Sequence, residues 1–336
     1  MSTVGIGAWS WGDRSGCAAS RTALCTLRTS LTRVRRSYWG KEYDKDASKA
    51  AFDTLAASGL TFIDTAEVYG FGLSEEFTGE FVRASPAPSQ FQVASKFAPI
   101  PWRFTRASVV DACRASLARL GMPRMSLYIQ HWPGFGPNMF SNDAFLEGMA
   151  DCCDAGLCDA VGVSNFNAAR VRGAVKALGA RGVPLSSNQI QYSLLYREPE
   201  RNGVLEACRE AGVTVVAYSP LAQGLLTGKY TAPGAAPPSG PRAAVFTPAR
   251  LAGVEALLGV MREIGEGRGG KTTGQIAINW LLCKGTLPIP GVKNARQAQE
   301  VAGALGWRLT AEEVRALDIA SDKVGTVAFG APFEKW

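Results

Sequence analysis

The segment FIDTAEVYG, residues 62–70, places a carboxylate and a phenol five residues apart directly after an apolar run. The residues that lead into it, Leu60-Thr61-Phe62-Ile63, are apolar or β-branched, which predicts a buried strand that ends at Asp64. The strand would therefore deliver a carboxylate at its end and a phenol, Tyr69, in the loop that follows.

Seven other short runs repeat this pattern, with amphipathic helices between them. The predicted strands are Val4–Trp9, Thr61–Asp64, Phe91–Lys96, Ser126–His131, Ala160–Ser164, Ser187–Gln191, Val213–Tyr218 and Leu287–Pro290. The clearest helices are Ala47–Ser58, Arg106–Leu120, Asn142–Ala155, Ala168–Leu178, Val204–Ala211, Pro248–Gly265 and Thr273–Lys284. Strands that alternate with helices pair in parallel through crossover connections. Eight such strands predict a (β/α)8 TIM barrel, with residues 1–336 forming a single domain.

Two segments interrupt the alternation. Residues 228–246 are rich in Gly, Pro and Ala and predict a long loop, a candidate lid over the site. Residues 16–37 contain Ser, Thr and Arg but no acid, and predict a disordered insertion or a stretch of non-coding sequence retained by an erroneous gene model.

The net charge of +7 is concentrated in one place. Residues 14–37 hold six arginines and no acidic residue, so the rest of the chain carries 7 − 6 = +1. A basic face suited to nucleic acid is therefore not expected.

The eight cysteines are scattered and none forms a CxxC pair, and His131 is the only histidine. We therefore expect no metal site, and we expect the thiols to be reduced. Reduced thiols indicate a reducing compartment, either chloroplast or cytoplasm. No N-terminal targeting peptide is expected in this chain. No run of eighteen apolar residues occurs, so no membrane span is predicted.

Polar and titratable side chains recur where the predicted strands end. They are Asp64, Lys96, His131, Ser164, Asn165, Gln189 and Tyr218. Any one of them alone has an ordinary structural explanation, such as a helix cap or a solvated strand end. Their recurrence on consecutive strands favours an active site, because the carboxyl ends of barrel strands meet on one face.

A phenol with an unperturbed pKa near ~10 is a weak acid at neutral pH. A neighbouring ammonium such as Lys96 would stabilise the phenolate of Tyr69 and lower its pKa, while Asp64 would keep that lysine charged. His131, neutral or protonated, would polarise a carbonyl. This set suits reduction of a carbonyl, in which hydride from a nicotinamide reaches carbon and a proton reaches oxygen.

These residues and their surroundings resemble the aldo-keto reductases, and most of all the plant and algal chloroplast-type members. The resemblance extends from about Val4 to about Ala320 with a gap at 16–37. It rests on GIGAW (5–9), DTAEVYG (64–70) with SEE (74–76), ASKF (94–97), YIQHW (128–132), GVSNF (162–166), NQIQYSLL (188–195), AYSPLAQGLLTGKY (217–230) and IPGVKN (289–294).

The resemblance implies NADPH-dependent reduction of a small carbonyl substrate, with a role for each matching position. Tyr69 would donate the proton, and Asp64 and Lys96 would adjust the pKa of Tyr69. His131 would orient the carbonyl. The implied cofactor ligands are Ser164, Asn165 and Gln189 for the carboxamide, Tyr218 for the ring, Ser219, Pro220, Leu221, Gly224 and Lys229 for the pyrophosphate, and Gly291, Lys293, Gln297 and Glu300 for the adenosine end. The implied substrate contacts are Trp9, Trp102, Trp132 and Phe135.

The chain departs from the family pattern in three ways. Val301 replaces an Asn that many relatives have after the acidic residue, which would weaken adenine contacts. Residues 16–37 lie beside the expected active-site face, and the hairpin that usually precedes the first strand is not expected.

Two alternatives compete with this interpretation. Some proteins of the family act mainly as cofactor-sensing regulatory subunits with little turnover, and the four catalytic positions do not separate the two classes. The second is ATP binding. Residues 265–272, GEGRGGKT, match the P-loop pattern, but the preceding residues have helical spacing, which favours a turn between two helices.

Overall fold

The computed structural model describes residues 4–8, 44–232, 234–235 and 246–326. Within these ranges eight parallel strands pair in chain order. They are β1 Gly5–Gly7, β2 Phe62–Asp64, β3 Gln92–Phe97, β4 Leu127–Gln130, β5 Val161–Ser164, β6 Leu185–Gln191, β7 Thr214–Tyr218 and β8 Leu287–Ile289. The first and last strands meet where the amide of Gly7 donates to the carbonyl of Pro290 over 3.1 Å. The predicted (β/α)8 TIM barrel is confirmed.

The strand register explains why the predicted site residues face the same way. Side chains alternate along a strand, and paired residues of neighbouring strands point to the same side of the sheet. Asp64 pairs with Ala94, two residues before Lys96, and Lys96 pairs with Ile129, two residues before His131. Ile129 pairs with Gly162, two residues before Ser164, and Ser164 pairs with Gln189.

The interior of the barrel below this level is filled by apolar side chains. This inner cluster consists of Phe62, Ala94, Leu127, Ile129, Val216 and Ile289. These residues lie on the same side of the sheet as the polar residues at the strand ends. The polar groups therefore stand on an apolar floor at one end of the barrel, which is where enzymes of this architecture place their chemistry.

Helices cover the outside of the strands. They are α1 Lys45–Ala57, α2 Leu73–Arg83, α3 Arg106–Leu120, α4 Asn142–Asp154, α5 Ala168–Gly179, α6 Glu198–Arg201, α7 Val204–Glu210, α8 Pro248–Gly267, α9 Thr273–Cys283, α10 Ala295–Ala302 and α11 Ala311–Val324. The seven helices named in the sequence analysis are confirmed with ends that differ by at most two residues. Local chemistry sets these ends: the carboxylate of Asp44 caps α1, and Gly121 ends α3 with a φ of 61°.

The P-loop-like segment joins two helices. α8 runs to Gly267 and α9 begins at Thr273, so no strand precedes the turn. The amides of Gly270 and Lys271 both donate to the carbonyl of Gly265, at 3.0 and 2.9 Å. Backbone N–H groups that a phosphate would need are thus used within the turn, and the predicted helix–turn–helix is confirmed.

Several expectations fall on residues that the structure does not describe or describes in part. The 16–37 insertion lies outside the described residues, and most of the candidate lid at 228–246 does so too. Among the described residues, no helix has the length and apolarity needed to cross a membrane. No group of His, Cys, Asp and Glu in the same ranges could hold a metal ion.

Candidate active site

Lys96 stands at the centre of the site. Its Nζ atom donates to Oδ2 of Asp64 over 2.5 Å and to Oη of Tyr69 over 3.2 Å. A third bond, of 2.8 Å, goes to the carbonyl of Thr65 in the same loop as Tyr69. Lys96 and Asp64 are 0% and 2% exposed, so their ion pair lies in the protein interior and is little screened. The structure therefore brings the predicted donor and both of its tuning residues into direct contact.

The balance of effects on Tyr69 differs from the prediction. Burial raises the pKa of Tyr69 above its ordinary value, and the opposing effect of Lys96 does not overcome it. Burial also opposes the charge on Lys96, yet Asp64 and Tyr69 raise the pKa of this lysine overall. Lys96 therefore acts on the Tyr69 pKa in the predicted direction, but burial outweighs it and the net shift is upward. Tyr69 is protonated at neutral pH, and Lys96 is charged beside it.

His131 lies against the tyrosine ring. The two ring centroids are 5.5 Å apart in an edge-on arrangement, and the Trp132 ring lies 4.7 Å from the imidazole. Burial, and secondarily the charge of Lys96, lower the pKa of His131 well below its ordinary value. The imidazole is therefore neutral at neutral pH. Its buried Nδ1 has no hydrogen-bond partner among the described residues.

The residues assigned to the carboxamide and the ring of the nicotinamide form one hydrogen-bonded group. The hydroxyl of Tyr218 donates to Oδ1 of Asn165 over 2.9 Å, and the Asn165 amide donates to the carbonyl of His131 over 3.1 Å. The hydroxyl of Ser164 donates to the carbonyl of Gln189 over 2.8 Å. The side chain of Gln189 instead donates to Oδ1 of Asp64 over 2.7 Å, so this group connects to the ion pair of Asp64 and Lys96.

Backbone strain marks the same end of the barrel. Five non-glycine residues in the described ranges have positive φ: Phe71, Asn165, Ser219, Ala222 and Gln223. All of them follow the carboxyl ends of β2, β5 or β7. Such conformations are costly for residues with a Cβ and concentrate at functional sites. This distribution locates the site independently of residue chemistry.

The segment after β7 is a strained turn with a lysine packed against it. Ser219, Ala222 and Gln223 have left-handed φ values, and Gly224 has a φ of 92°. A Cβ at Gly224 would lie 2.8 Å from Cε of Lys229, so the lysine packs across this glycine. Pro220 and Leu221 complete the turn. The structure therefore brings Lys229 against Gly224, and the resemblance assigns both to the pyrophosphate.

Gly274 was missed in the sequence analysis, and it connects two of the assigned cofactor segments. A Cβ at this position would lie 3.2 Å from Oε1 of Glu300 and 3.9 Å from Cδ2 of Leu221. The hydroxyl of Thr272 donates to the same Glu300 oxygen. The turn before α9 therefore joins the pyrophosphate segment to the adenosine segment, a relationship that only the fold shows.

The segment after β8 presents cations at the start of α10. Lys293 and Arg296 are exposed, and the amide of Lys293 donates to Oε1 of Gln297 over 2.8 Å. Gly291, which precedes them, is also exposed. Two cations beside a helix N-terminus suit a phosphate group. Val301 is 2% exposed and packs in the core, so it is turned away from this surface.

The predicted aromatic substrate contacts lie on two loops that one side chain joins. Asn138 donates to the carbonyls of Pro99 and Ile100 over 3.2 and 3.0 Å and accepts the amide of Phe135 over 2.9 Å. Trp132 donates to the same Pro99 carbonyl over 3.3 Å. Trp102 and Phe135 are 73% and 41% exposed, so they lie at the rim, whereas Trp132 is half-buried beside His131. Trp9 lies outside the described residues.

Glu67 and Arg103 were not singled out in the sequence analysis, and they hold the Tyr69 loop in place. The guanidinium of Arg103 binds both oxygens of Glu67, with Nη2 to Oε2 at 3.0 Å. The amide of Ala98 also donates to Glu67 over 2.7 Å. Both ionic side chains are less than 20% exposed. The loop that carries Tyr69 is therefore tied to the loop that follows β3.

The residues present fit a nicotinamide dinucleotide. Amide and hydroxyl groups stand near the ion pair of Asp64 and Lys96. A strained turn with Lys229 follows β7, and Lys293 and Arg296 follow β8. The buried Oε1 of Gln223, in the same turn, has no hydrogen-bond partner among the described residues. A set of polar groups that extends from this ion pair to a cationic helix start matches an elongated, phosphorylated ligand.

Comparisons with known proteins agree with this geometry. The aldo/keto reductase family model matches residues 3–322. The chain is 36% identical over 329 residues to the chloroplastic pyridoxal reductase of Arabidopsis thaliana, covering 96% of this chain and 83% of that protein. A glycerol dehydrogenase from Gluconobacter oxydans superimposes with a TM-score of 0.78 at 25% identity, covering 98% and 94% of the two chains. An aldo/keto reductase from Klebsiella pneumoniae in complex with NADP and acetate has a TM-score of 0.68 at 25% identity, with coverage of 94% and 90%. The chain belongs to the aldo/keto reductase family.

Proposed function

We propose that this protein reduces aldehydes or ketones to alcohols with NADPH and that Tyr69 supplies the proton. The observation that carries the proposal is the position of Lys96, whose Nζ lies 2.5 Å from Asp64 and 3.2 Å from Tyr69 in the protein interior. A phenol held against a buried ammonium can release its proton and leave a phenolate that the ammonium stabilises.

Each catalytic residue has a separate task in this proposal. Tyr69 is protonated at rest because burial raises its pKa, so it is ready to donate. His131 is neutral because its pKa is lowered, so it can donate a hydrogen bond to a carbonyl oxygen but is not the acid. Asp64 keeps Lys96 charged throughout. The buried setting strengthens each of these interactions relative to water.

The cofactor would be held by residues at three places around the mouth of the barrel. Ser164, Asn165 and Tyr218 would bind its nicotinamide end, Lys229 its pyrophosphate, and Lys293 with Arg296 its adenosine end. When bound, the cofactor supplies the hydride. The NADP in the Klebsiella pneumoniae relative supports this choice.

The substrate is proposed to be a small aromatic aldehyde, with pyridoxal the first compound to test. Trp132 beside His131, and Trp102 and Phe135 at the rim, supply apolar and aromatic surface next to the proton donor. The name of the Arabidopsis relative supports pyridoxal in particular. The same name and the scattered thiols support the chloroplast or the cytoplasm as compartment.

The test replaces the proton donor and leaves its ring in place. Tyr69→Phe should lower carbonyl reduction by on the order of 10²–10⁴ with NADPH affinity unchanged. Tyr128→Phe is the matched control, because Tyr128 is buried and its hydroxyl has no hydrogen-bond partner among the described residues. Turnover is followed by NADPH oxidation across aldehydes, ketones and pyridoxal. Full turnover in Tyr69→Phe would contradict the assignment.

The same assay separates an enzyme from a cofactor sensor. An enzyme turns over repeatedly, with a rate that depends on Tyr69. A sensor would bind NADPH tightly and oxidise it very slowly with every carbonyl compound, and Tyr69→Phe would then change little.

A further inference from the structure

Two thiols meet at the end of the barrel opposite the candidate site. Cys153 lies near the end of α4, and Cys158 lies in the loop that leads into β5. Their Sγ atoms are 3.5 Å apart. The residue that follows the other end of β5 is Asn165, so the length of that strand separates these thiols from the catalytic groups.

The backbone brings the two cysteines together. Gly156 reverses the chain with a φ of 68°, while the amides of Gly156 and Leu157 donate to the carbonyls of Cys153 and Cys152, each over 2.9 Å. This is the hydrogen-bond pattern of a glycine-terminated helix. Cys158 is fixed from the other side, because Met125 donates to Leu157 and accepts from Asp159.

The two thiols differ in access and in acidity. Cys153 is half-buried, whereas Cys158 is 5% exposed. The hydrogen bond between the two sulfurs lowers the pKa of Cys153, while the same bond and burial raise that of Cys158. The thiolate is the attacking species in disulfide exchange. The accessible sulfur is therefore the better nucleophile, and the buried one is placed to react second.

We propose that Cys153 and Cys158 form a thiol–disulfide exchange site that reacts with small-molecule disulfides such as glutathione disulfide. The thiolate of Cys153 attacks one sulfur, breaks that S–S bond, forms a mixed disulfide and releases one thiolate. Cys158 then gives up its proton, attacks Cys153 and releases the second thiol. Two protein thiols are oxidised, and one disulfide is reduced to two thiols.

The geometry permits this closure with a small movement. A disulfide bond is about 2.05 Å long, so the sulfurs, now 3.5 Å apart, must approach by roughly 1.5 Å. A second pair provides an internal reference: Cys113 and Cys152 lie close enough to interact and are both fully buried. Without access for a disulfide, this second pair should stay reduced.

The experiment maps the thiols of the full chain after exposure to glutathione disulfide. The protein is quenched by alkylation under denaturing conditions and cut by a protease that cleaves before aspartate, so that cleavage at Asp154 separates the two cysteines. Mass spectrometry should find the two fragments joined and two hydrogens lighter, with Cys113 and Cys152 alkylated. Reduction by a dithiol should restore both thiols, and carbonyl reduction should be unchanged.

Two variants test the order of attack. Cys158→Ser should accumulate a stable glutathione adduct on Cys153, because the second step is lost. Cys153→Ser should give neither the adduct nor the crosslink. Unjoined fragments in the wild type, a persistent adduct on its Cys153, or a crosslink in Cys153→Ser would each overturn the proposal. The wild-type map decides the question even if a variant fails to fold.

Discussion

The side-chain amide of Gln189 donates a 2.7 Å hydrogen bond to Oδ1 of Asp64, which joins β6 to β2 across the mouth of the barrel. The other oxygen of the same carboxylate accepts from Lys96. Asp64 is thus held from two sides, and the direction in which it faces Lys96 depends on Gln189. The resemblance assigned Gln189 to binding of the cofactor. The contact with Asp64 indicates that Gln189 also orients this carboxylate.

Replacing Gln189 should lower the stability of the protein, because the hydrogen bond to Asp64 is lost. Gln189→Met keeps the length of the side chain but leaves a buried carboxylate oxygen without its donor, which costs about 1–3 kcal/mol. The free energy of unfolding is measured by urea denaturation. Ser187→Ala is the control on the same strand, because the buried hydroxyl of Ser187 has no partner among the described residues, and its removal should change little. Equal stability of Gln189→Met and wild type would show that the bond contributes nothing.

Breaking the buried ion pair should cost both activity and stability. Lys96→Met leaves Asp64 charged and unpaired in the interior, a change that typically destabilises by about 3–5 kcal/mol. Adding Asp64→Asn removes that charge and should recover most of the stability. Activity should not return, because the phenolate of Tyr69 still lacks its ammonium. Denaturation and NADPH oxidation are measured on both variants, and recovery of turnover in the double variant would contradict the role of Lys96.

His131 should make the protein less stable in mild acid. Its folded pKa lies well below its ordinary value, so the unfolded chain binds a proton below pH ~6.5 that the folded chain excludes. Stability therefore falls as the pH decreases below that value, by roughly 1.4 kcal/mol per pH unit, until the folded imidazole also titrates. His131 is the only histidine in the chain, so His131→Gln isolates the effect. The free energy of unfolding, plotted against pH, should diverge between wild type and His131→Gln from pH 7 to 5.5. Parallel plots for the two proteins would show that the pKa of His131 is not perturbed.

The choice between NADPH and NADH should depend on the start of α10. The resemblance assigns Lys293 to the adenosine end of the cofactor, where NADPH but not NADH carries a 2′-phosphate. Lys293→Met should therefore weaken binding of NADPH much more than binding of NADH. Arg296→Met tests the second exposed cation of the same turn, which the sequence analysis did not name. Dissociation constants are measured by quenching of tryptophan fluorescence. An equal loss of affinity for both cofactors in Lys293→Met would mean that this lysine does not contact the phosphate.

The parts of the site that could be predicted are those with a local signature. A β-branched run that ends in Asp64, and others that end at Lys96 and His131, identify strands and their carboxyl ends, and parallel pairing then brings those ends together. The direction of the Tyr69 pKa could not be predicted, because it depends on how far burial outweighs one ammonium. The bond from Gln189 to Asp64 depends on tertiary packing, which leaves no periodic pattern.

The pair of Glu67 and Arg103 belongs to this unpredicted part, and it should act on catalysis through position alone. Glu67 lies in the loop between Asp64 and Tyr69, and Arg103 lies beyond β3 beside Trp102. Because the pair is mostly buried and the guanidinium binds both carboxylate oxygens, its loss should let the tyrosine loop move relative to Lys96.

Glu67→Gln and Arg103→Met should therefore each lower kcat by about 10-fold or more, since small displacements of a catalytic group reduce rates strongly. NADPH affinity should hardly change, because neither residue lies in a segment assigned to the cofactor. The double variant should be no slower than the worse single variant, since both changes break the same contact. Arg106→Met is the control, as Arg106 forms exposed ion pairs on the outside of the barrel. If the fold-losses in kcat of the two single variants multiply in the double variant, Glu67 and Arg103 act separately. The positioning role would then be wrong.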